Sequence, residues 1–293
     1  MARGQAGLGN RVSTVLARKL GAELLRLRDA AGLTQPQAAE ALSATAAKVA
    51  KMERGWVPFR DPDVLVLARL YGLEDPKAVD GLLRLAKLDR ERRKAKGWWQ
   101  HSPEAGALAE YIAMEDVATR IRTWQLSLVP GLFQTPAYTR ALAVAEGGWD
   151  DPEDVERIVE VRAKRQLRLL GDEPLQIYAV VWEAALRQEI GGRASMRGQL
   201  ERVIELTDLP NVRLQVLPFR AGGHPSVGSA FSIVSFADVG AVDVVHQDTI
   251  GATVWVENDT EGATYNDFFE RTARLSLSQH DSLVLIDSIR KGM

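Results

Sequence analysis

Two lysines, Lys48 and Lys51, stand three residues apart in a predicted helix and project from the side opposite Val49 and Met52. A lysine in the first helical turn faces the positive end of the helix dipole and gains nothing there by itself. An external anion, such as the phosphate backbone of DNA, would make this placement favourable. A solvated helix face is the alternative interpretation, and the surrounding sequence distinguishes the two.

Start and stop signals frame two short helices around these lysines. Thr34 is a suitable N-cap, and Gln37 three residues later completes a capping box. Thr45 is a suitable N-cap for the second helix, and Gly55 is a suitable residue to end it. A pair of short capped helices with basic side chains is typical of DNA-binding proteins, so the pattern favours contact with DNA over a merely solvated face.

Helical periodicity extends over the first third of the chain. The predicted helices cover about 14–31, 34–42, 45–54, 63–71 and 76–96. They predict an all-α, five-helix DNA-binding domain over residues 13–97. Residues 1–12 contain two arginines and no acidic residue, and we expect them to form a flexible basic arm.

The charge distribution agrees with a chain that meets phosphate at one end. Residues 1–97 contain 19 Lys and Arg against 11 Asp and Glu, whereas residues 98–293 contain 18 against 28, so the two parts carry +8 and −10. A basic first part on an acidic body favours nucleic acid as the partner of the first part alone.

Length and composition predict two domains in a reducing compartment. The chain has 293 residues, 46% of them apolar, and no cysteine, which excludes disulfides, thiolate nucleophiles and cysteine-based metal sites. It has no uninterrupted apolar stretch of membrane-spanning length and no signal-peptide core. We therefore expect a cytoplasmic, nucleoid-associated protein with no membrane contact.

Residues 98–293 have a different character. Helical patterns at about 104–121, 135–146 and 153–170 come first, and short β-rich runs separated by further helices follow. This order predicts a regulatory or dimerisation domain of the α+β class with a mixed sheet.

One set of residues in the first domain stands at the spacings of a known motif. The set is Thr34, Gln35, Ala39, Leu42, Val49, Glu53, Arg54 and Gly55. Residues 15–73 thereby resemble the lambda-repressor-like helix-turn-helix of XRE (Cro/C1-type) transcription regulators.

That resemblance implies roles for individual residues. Arg28 and Glu53 would form a buried ion pair that joins the first and third helices, and Gln35 would hold a DNA phosphate. The implied DNA-contacting set is Gln35, Thr45, Ala46, Ala47, Lys48, Lys51, Arg54 and Arg60.

Ala46 and Ala47 stand where base-reading side chains of this class are usually polar. An alanine can touch a thymine methyl group but cannot hydrogen-bond a base edge, so we expect readout to depend on Lys51, on DNA shape and on the basic arm. The predicted partner is double-stranded DNA, bound by a homodimer at half-sites about one helical turn apart.

The second domain carries its own set of motifs. They are Val129–Thr135 with Tyr138, Arg162 with Arg165 and Gln166, Glu183–Arg187, Gln199 with Leu200, Val216–Pro218, Leu277 with Ser278, and Asp281 with Ser282. From about Trp99 to Ile286 the chain is similar to the C-terminal domain of WhiJ-like actinobacterial regulators. This resemblance implies a regulatory setting, often beside a small partner protein, and assigns no catalytic or ligand residue.

Enzymatic motifs are missing from the second domain. The four histidines have no His-x-x-x-His spacing, and the sequence has no nucleophile elbow, Walker loop or Gly-x-Gly-x-x-Gly motif. We therefore expect no catalytic residue, no metal and no cofactor.

Aromatic and basic side chains of this domain are the candidates for ligand binding. Trp98, Trp99, Trp124 and His224 could line an effector site, with core packing for the tryptophans and a solvated loop for the histidine as the alternatives. Three arginines of one helix, at 157, 162 and 165, favour pairing with acids of the same domain, and an anionic ligand is the alternative.

Together these patterns predict a sequence-specific transcription regulator whose second domain senses a small molecule or a small partner protein. One alternative is an interaction or antitoxin-like module whose DNA binding is secondary. An enzyme fused to a DNA-binding domain is the other.

Overall fold

The computed structural model describes residues 14–94, 107–147, 151–226, 228–236, 243–249, 253–256 and 259–293. The predicted basic arm at residues 1–12 lies outside these ranges. Contacts divide the described residues into two units, one formed by residues 14–94 and the other by residues from 107 onward. None of the helices within these ranges contains an apolar stretch that could span a lipid bilayer.

Five helices make up residues 14–94, which confirms the prediction of an all-α unit. They are α1 (Val15–Ala30), α2 (Gln35–Ala41), α3 (Ala46–Glu53), α4 (Asp61–Leu70) and α5 (Pro76–Lys94). Helix α4 begins at Asp61, two residues before the predicted start. The Asp63 carboxylate explains this, because it accepts the backbone N–H of Arg60 and caps the helix there.

Inward-facing side chains of these helices form one core. Its buried members include Leu16, Leu20, Leu24, Ala38, Val49, Met52, Phe59, Val64, Leu67 and Leu85. Gly21 lets α1 lie directly against the end of α3, since a Cβ atom added at Gly21 would lie 2.3 Å from the carbonyl oxygen of Glu53. Arg90 of α5 donates to the carbonyl of Phe59 and to Asp61, which fastens α5 to the start of α4.

The second unit is built on a six-stranded mixed sheet, as predicted for the α+β class. Its strands are β1 (Arg120–Gln125), β2 (Gln176–Trp182), β3 (Val212–Leu217), β4 (Phe231–Ser235), β5 (Val244–Asp248) and β6 (Thr253–Val256). Their order across the sheet is β3-β2-β1-β4-β5-β6. Strands β1, β2 and β3 run parallel, whereas β4, β5 and β6 form an antiparallel meander that pairs with β1.

Helices cover both faces of this sheet. They are α6 (Ala107–Val117), α7 (Pro136–Glu146), α8 (Pro152–Gln166), α9 (Glu183–Arg187), α10 (Gly192–Leu206), α11 (Asp259–Leu275) and α12 (Gln279–Lys291). One face packs in a large core with α7, α10 and α12, and the other packs against α11.

The structure corrects the ends of two predicted helices of the second unit and adds two elements that were not predicted. The helix expected over 104–121 ends at Val117, and the strand β1 that follows it was not predicted. The backbone explains this, because the N–H of Thr119 donates to the carbonyl of Ser235 at 3.0 Å and starts the pairing with β4. Helix α8 ends at Gln166 and not near residue 170, and α12 was not predicted.

Candidate nucleic-acid interface

Helix α3 is a short helix with a defined start and end. The Thr45 hydroxyl accepts the backbone N–H of Lys48 at 3.2 Å, as the N-cap prediction requires. Gly55 adopts a positive φ of 72°, and the N–H of Trp56 then donates to the carbonyl of Lys51 at 2.8 Å. This is the Schellman arrangement, in which a left-handed residue lets the chain close the helix end, so both predicted signals are confirmed.

The solvent-facing stripe of α3 is basic. Ala47, Lys51 and Arg54 are exposed at intervals of four and three residues, which places them on one side of the helix. Val49 and Met52 are buried on the opposite side, as predicted. Within residues 14–94 the Lys51 ammonium forms no ion pair, so its charge is available to a partner outside the chain.

The other predicted DNA-contacting residues of α3 lie beside this stripe. Thr45 is exposed at the helix start, whereas Ala46 is half-buried and packs against the core. Lys48 is also half-buried, which corrects the prediction that it lies opposite Met52, because residues 48 and 52 are one turn apart and share a side of the helix. The charge of Lys48 contributes to lowering the pKa of the Asp63 carboxyl in α4. The structure therefore gives Lys48 an acidic neighbour within the protein.

The Arg60 side chain at the start of α4 is largely exposed, although its guanidinium is bound by a neighbouring carboxylate. Its Nε and Nη2 atoms donate to the Asp63 carboxylate at 3.0 and 2.8 Å, yet 68% of the Arg60 side chain is exposed. The hydrogen bond from Arg60 is the largest cause that lowers the pKa of the Asp63 carboxyl, and the charge of Lys48 lowers it further. Asp63 thus holds the Arg60 guanidinium directly.

A buried polar cluster joins α1, α2 and α3. Arg28 Nε lies 2.7 Å from Glu53 Oε1, and these are the two residues that the resemblance paired. The side chains of Arg28 and Glu53 are only 8% and 6% exposed. Arg28 Nη1 also donates to the carbonyl of Leu33 at 2.6 Å, so the guanidinium is held on two sides.

Gln35 belongs to this same cluster. Its Nε2 atom donates to Glu53 Oε2 at 2.7 Å, so the amide is oriented by the carboxylate that also binds Arg28. An amide nitrogen carries two hydrogens, and the second is compatible with the phosphate contact that the resemblance implies. The predicted capping box before Gln35 is present, since the Gln37 side chain accepts the N–H of Thr34 at 2.8 Å.

The turn between α2 and α3 carries backbone strain. Ser43 has a φ of +50°, a conformation that glycine adopts at lower cost. The N–H of Ala44 donates to the carbonyl of Ala39 at 2.8 Å and ends α2 around this residue. Ser43 therefore helps to set the direction in which α3 leaves α2.

Trp56 is a residue of this surface that the sequence did not single out. It follows Gly55 directly, 47% of it is exposed, and the guanidinium carbon of Arg54 lies 5.5 Å from its ring centre. Its position directly after the terminating Gly55 of a basic helix is the feature of the sequence that could have identified it. Its ring can hold the Arg54 guanidinium by a cation–π contact.

Two of the four predicted effector residues meet in the second unit, and Trp98 and Trp99 lie outside the described residues. The Trp124 and His224 rings are 5.1 Å apart in an edge-on arrangement. Trp124 is fully buried and donates its indole N–H to the carbonyl of Ser226, and burial lowers the pKa of His224. Of the three arginines in α8, Arg157 and Arg165 pair with acids, as expected.

Two family models match the chain. Residues 19–82 match a model described as a helix-turn-helix domain, and residues 108–288, more than half of the chain, match one described as a domain of unknown function, DUF5753. Neither a curated protein nor a solved structure matches it.

Proposed function

Because this chain belongs to the DUF5753 family and carries a helix-turn-helix domain ahead of that domain, we propose that it is a sequence-specific DNA-binding transcription regulator. The observation that carries the proposal is the exposed stripe of Ala47, Lys51 and Arg54 on a capped helix whose other face is buried. A rigid helix with a basic outer face is what a major-groove reader requires.

Residue roles follow from this placement. Lys51 reads base edges, Ala47 contacts a thymine methyl group, and Arg54 and Arg60 bind phosphates on either side of the groove. Thr45, Ala46 and Lys48 lie at the start of α3, where backbone contacts are made, and Gln35 binds a phosphate with its second amide hydrogen. Glu53 and Arg28 keep these groups in register without touching DNA.

The finer assignment rests on sequence resemblance. We place the first domain in the XRE (Cro/C1-type) class and the second with the WhiJ-like actinobacterial regulators. Binding as a homodimer would suit inverted half-sites, with the second domain as dimer surface and as sensor of a small molecule or a small partner protein. We assign no catalytic step, no metal and no cofactor to either domain, and place the protein in the cytoplasm at the nucleoid.

The test compares three lysine variants of the full-length protein on DNA selected from a random-sequence library. Lys51→Ala should relax base preference, whereas Lys48→Ala should weaken binding to all sequences alike and reduce the salt slope by about one unit. Lys77→Ala removes the same charge from an exposed position on α5 and should change neither property. Selected sites should contain inverted half-sites about 34–36 Å apart.

Binding would be measured by fluorescence anisotropy between about 50 and 200 mM salt, the range over which phosphate contacts dominate affinity. The proposed interface is wrong if the Lys48→Ala/Lys51→Ala double variant binds selected DNA as tightly as the wild type and the Lys77→Ala control.

A further inference from the structure

A row of polar side chains crosses one face of the sheet in register. Thr123 of β1 lies opposite Ser232 of β4, Ser232 opposite His246 of β5, and His246 opposite Trp255 of β6. Thr123, Ser232 and His246 are only 3%, 7% and 7% exposed. The rest of this face is mostly aliphatic and forms the larger core of the unit. Polar groups in such a layer cost free energy, so their presence in one row requires an explanation.

The internal hydrogen bonds of the row do not supply that explanation. The hydroxyl oxygens of Thr123 and Ser232 lie 2.9 Å apart, and Gln125 donates to Thr123 at 2.9 Å. A hydrogen-bonded pair of this kind can be replaced by apolar side chains of the same shape at little cost. These hydrogen bonds satisfy the hydroxyl groups but do not by themselves explain why polar side chains occupy this layer.

A lid of charged and aromatic side chains lies over the row. The Tyr111 ring of α6 is 4.5 Å from the His246 ring, and the Arg165 guanidinium of α8 lies 5.6 Å from the Tyr111 ring centre. Arg165 donates two hydrogen bonds, of 2.7 and 2.9 Å, to the carboxylate of Glu115, and both side chains are almost fully buried. The backbone of Gly131 lies close to this ion pair, since a Cβ atom at Gly131 would lie 3.4 Å from the Arg165 guanidinium.

Between the row and this lid lies a cavity. As formed by the described residues, it has a volume of about 310 Å³, at the lower end of the range of small-ligand pockets. Its polar lining includes the hydroxyl groups of the row together with Gln125, Gln134 and Arg162. Trp124 and His224 are not part of its lining, because Trp124 points to the opposite face of β1.

One buried polar atom at this cavity, His246 Nε2, has no well-aligned hydrogen bond within the described residues. Its distance from Asp248 Oδ1 is 3.3 Å. The His246 side chain is 92% buried and sits between the rings of Tyr111 and Trp255. A buried imidazole nitrogen without a hydrogen bond is costly in an empty cavity and useful in an occupied one.

We propose that this cavity binds a small polar organic molecule that is uncharged or zwitterionic, and that it is the sensory site of the regulator proposed above. The charges of its lining indicate this class. Arg165 and Glu115 form a buried ion pair in the lining, and Arg162 and Asp248 add one charge of each sign, with 59% of the Asp248 side chain exposed. A ligand with a net charge would leave one charge uncompensated in a largely buried site, whereas an uncharged or zwitterionic ligand preserves the balance.

The position of the cavity along the chain suits a sensor. Tyr111 and Glu115 belong to α6, the first described element after residues 95–106, which join the two units in sequence. A ligand that touches these side chains acts on the helix nearest in sequence to the DNA-binding unit. Such a ligand alters DNA affinity only if it binds the DNA-competent and DNA-incompetent states unequally.

The test uses full-length protein and three sets of probes. The neutral amino acids are the zwitterions, glycerol, glucose and acetamide are the uncharged probes, and acetate, succinate and inorganic phosphate are the anions. Binding would be detected by saturation-transfer NMR and measured by calorimetry. At least one zwitterionic or uncharged probe should bind, and the Thr123→Val/Ser232→Ala double variant should bind it at least tenfold more weakly.

Two further variants separate a ligand site from a structural role. Ser235→Ala removes a buried hydroxyl from the opposite face of β4 and should leave probe affinity unchanged. Ala230→Leu adds volume at the cavity lining while it retains the hydroxyl row, and it should abolish binding. The melting temperature of the double variant should equal or exceed that of the wild type, because a structural row would lower it.

The proposal is overturned if only anions bind, if no zwitterionic or uncharged probe binds at millimolar concentration, or if Ala230→Leu and the double variant bind as the wild type does. DNA binding would be measured on the same preparations. A wild-type protein that binds DNA but no zwitterionic or uncharged probe refutes the sensory site alone, whereas probe binding without DNA binding refutes the proposed function.

Discussion

Removing one partner of the buried Arg28–Glu53 pair should destabilise the first unit strongly, and removing both should not. The Glu53 side chain is only 6% exposed, and in Arg28→Met its carboxylate keeps a single hydrogen-bond donor from this cluster, the Gln35 amide. An uncompensated buried charge of this kind costs about 3–5 kcal/mol. Glu53→Leu should cost about 3 kcal/mol, near the lower end, because Arg28 retains the carbonyl of Leu33 and the partly exposed Asp29.

The double variant Arg28→Met/Glu53→Leu should lie within about 1 kcal/mol of the wild type, since apolar side chains of similar volume replace both charges. The two single-variant costs then exceed the double-variant cost by at least about 5 kcal/mol, a coupling expected only for residues in direct contact. Arg26→Met is the matched control on the same helix. Arg26 pairs with Glu23 at the surface, with 64% of its side chain exposed, so its removal should cost under about 0.5 kcal/mol.

Hydrogen exchange followed by mass spectrometry suits this cycle, because it reports the two units of the full chain separately. Peptides from α1 to α3 should lose protection in the single variants and regain it in the double variant, while peptides from β1 and β2 remain unchanged. If the double variant lost as much protection as the two single variants combined, the pair would not be coupled and the reasoning from burial would be wrong.

Three further substitutions test the local geometry of the first unit. Gly21→Ala should destabilise it by about 1–3 kcal/mol, because the new Cβ would overlap the carbonyl of Glu53. The control Gly198→Ala, at an exposed helical position with open space, should stabilise the second unit by up to about 1 kcal/mol. Melting temperatures that changed in the same direction in both variants would contradict this. Ser43→Gly should raise stability by about 0.5–1 kcal/mol, because glycine adopts the φ of +50° without strain, and a lower melting temperature would show that the turn is not strained. Asp63→Asn should cost about 1 kcal/mol at neutral pH. Since the pKa of Asp63 is lowered in the folded state, this contribution is fully present above the ordinary carboxyl pKa of about 3.9 and is lost as the pH falls through the lowered value. A difference between wild type and variant that did not shrink as the pH fell below about 3.9 would refute the assignment.

Local signals were sufficient to predict the first unit because its elements are specified locally. Thr34, Thr45 and Gly55 each act on backbone groups within four residues, so the caps and the end of α3 could be predicted from the sequence alone. Asp63 caps α4 through Arg60, three residues before it, whereas the effect of Lys48 on its pKa depends on the three-dimensional fold. No short-range pattern reports the charge of Lys48 acting on a carboxylate in the next helix.

The second unit shows where sequence patterns were insufficient. Strand β1 is flanked by a helix that ends only three residues before it, and the predicted helix ran into its first residues. Ile121, Thr123 and Trp124 are types that favour strands, so a weak signal was present. Because β1 was not predicted, Thr123 could not be placed beside Ser232, and the polar row that lines the cavity remained invisible in the sequence.

The order in which the strands occur along the chain has a consequence for synthesis. Thr123 of β1 bonds to the carbonyl of Phe231 in β4, 108 residues later, whereas the contacts of α1 with α3 in the first unit join residues much closer in sequence. On the ribosome, the helical unit can therefore fold while β1 still has an unpaired edge. An unpaired strand edge is a template for aggregation. Chains that terminate before Phe231 should consequently form inclusion bodies that contain a folded helix-turn-helix domain.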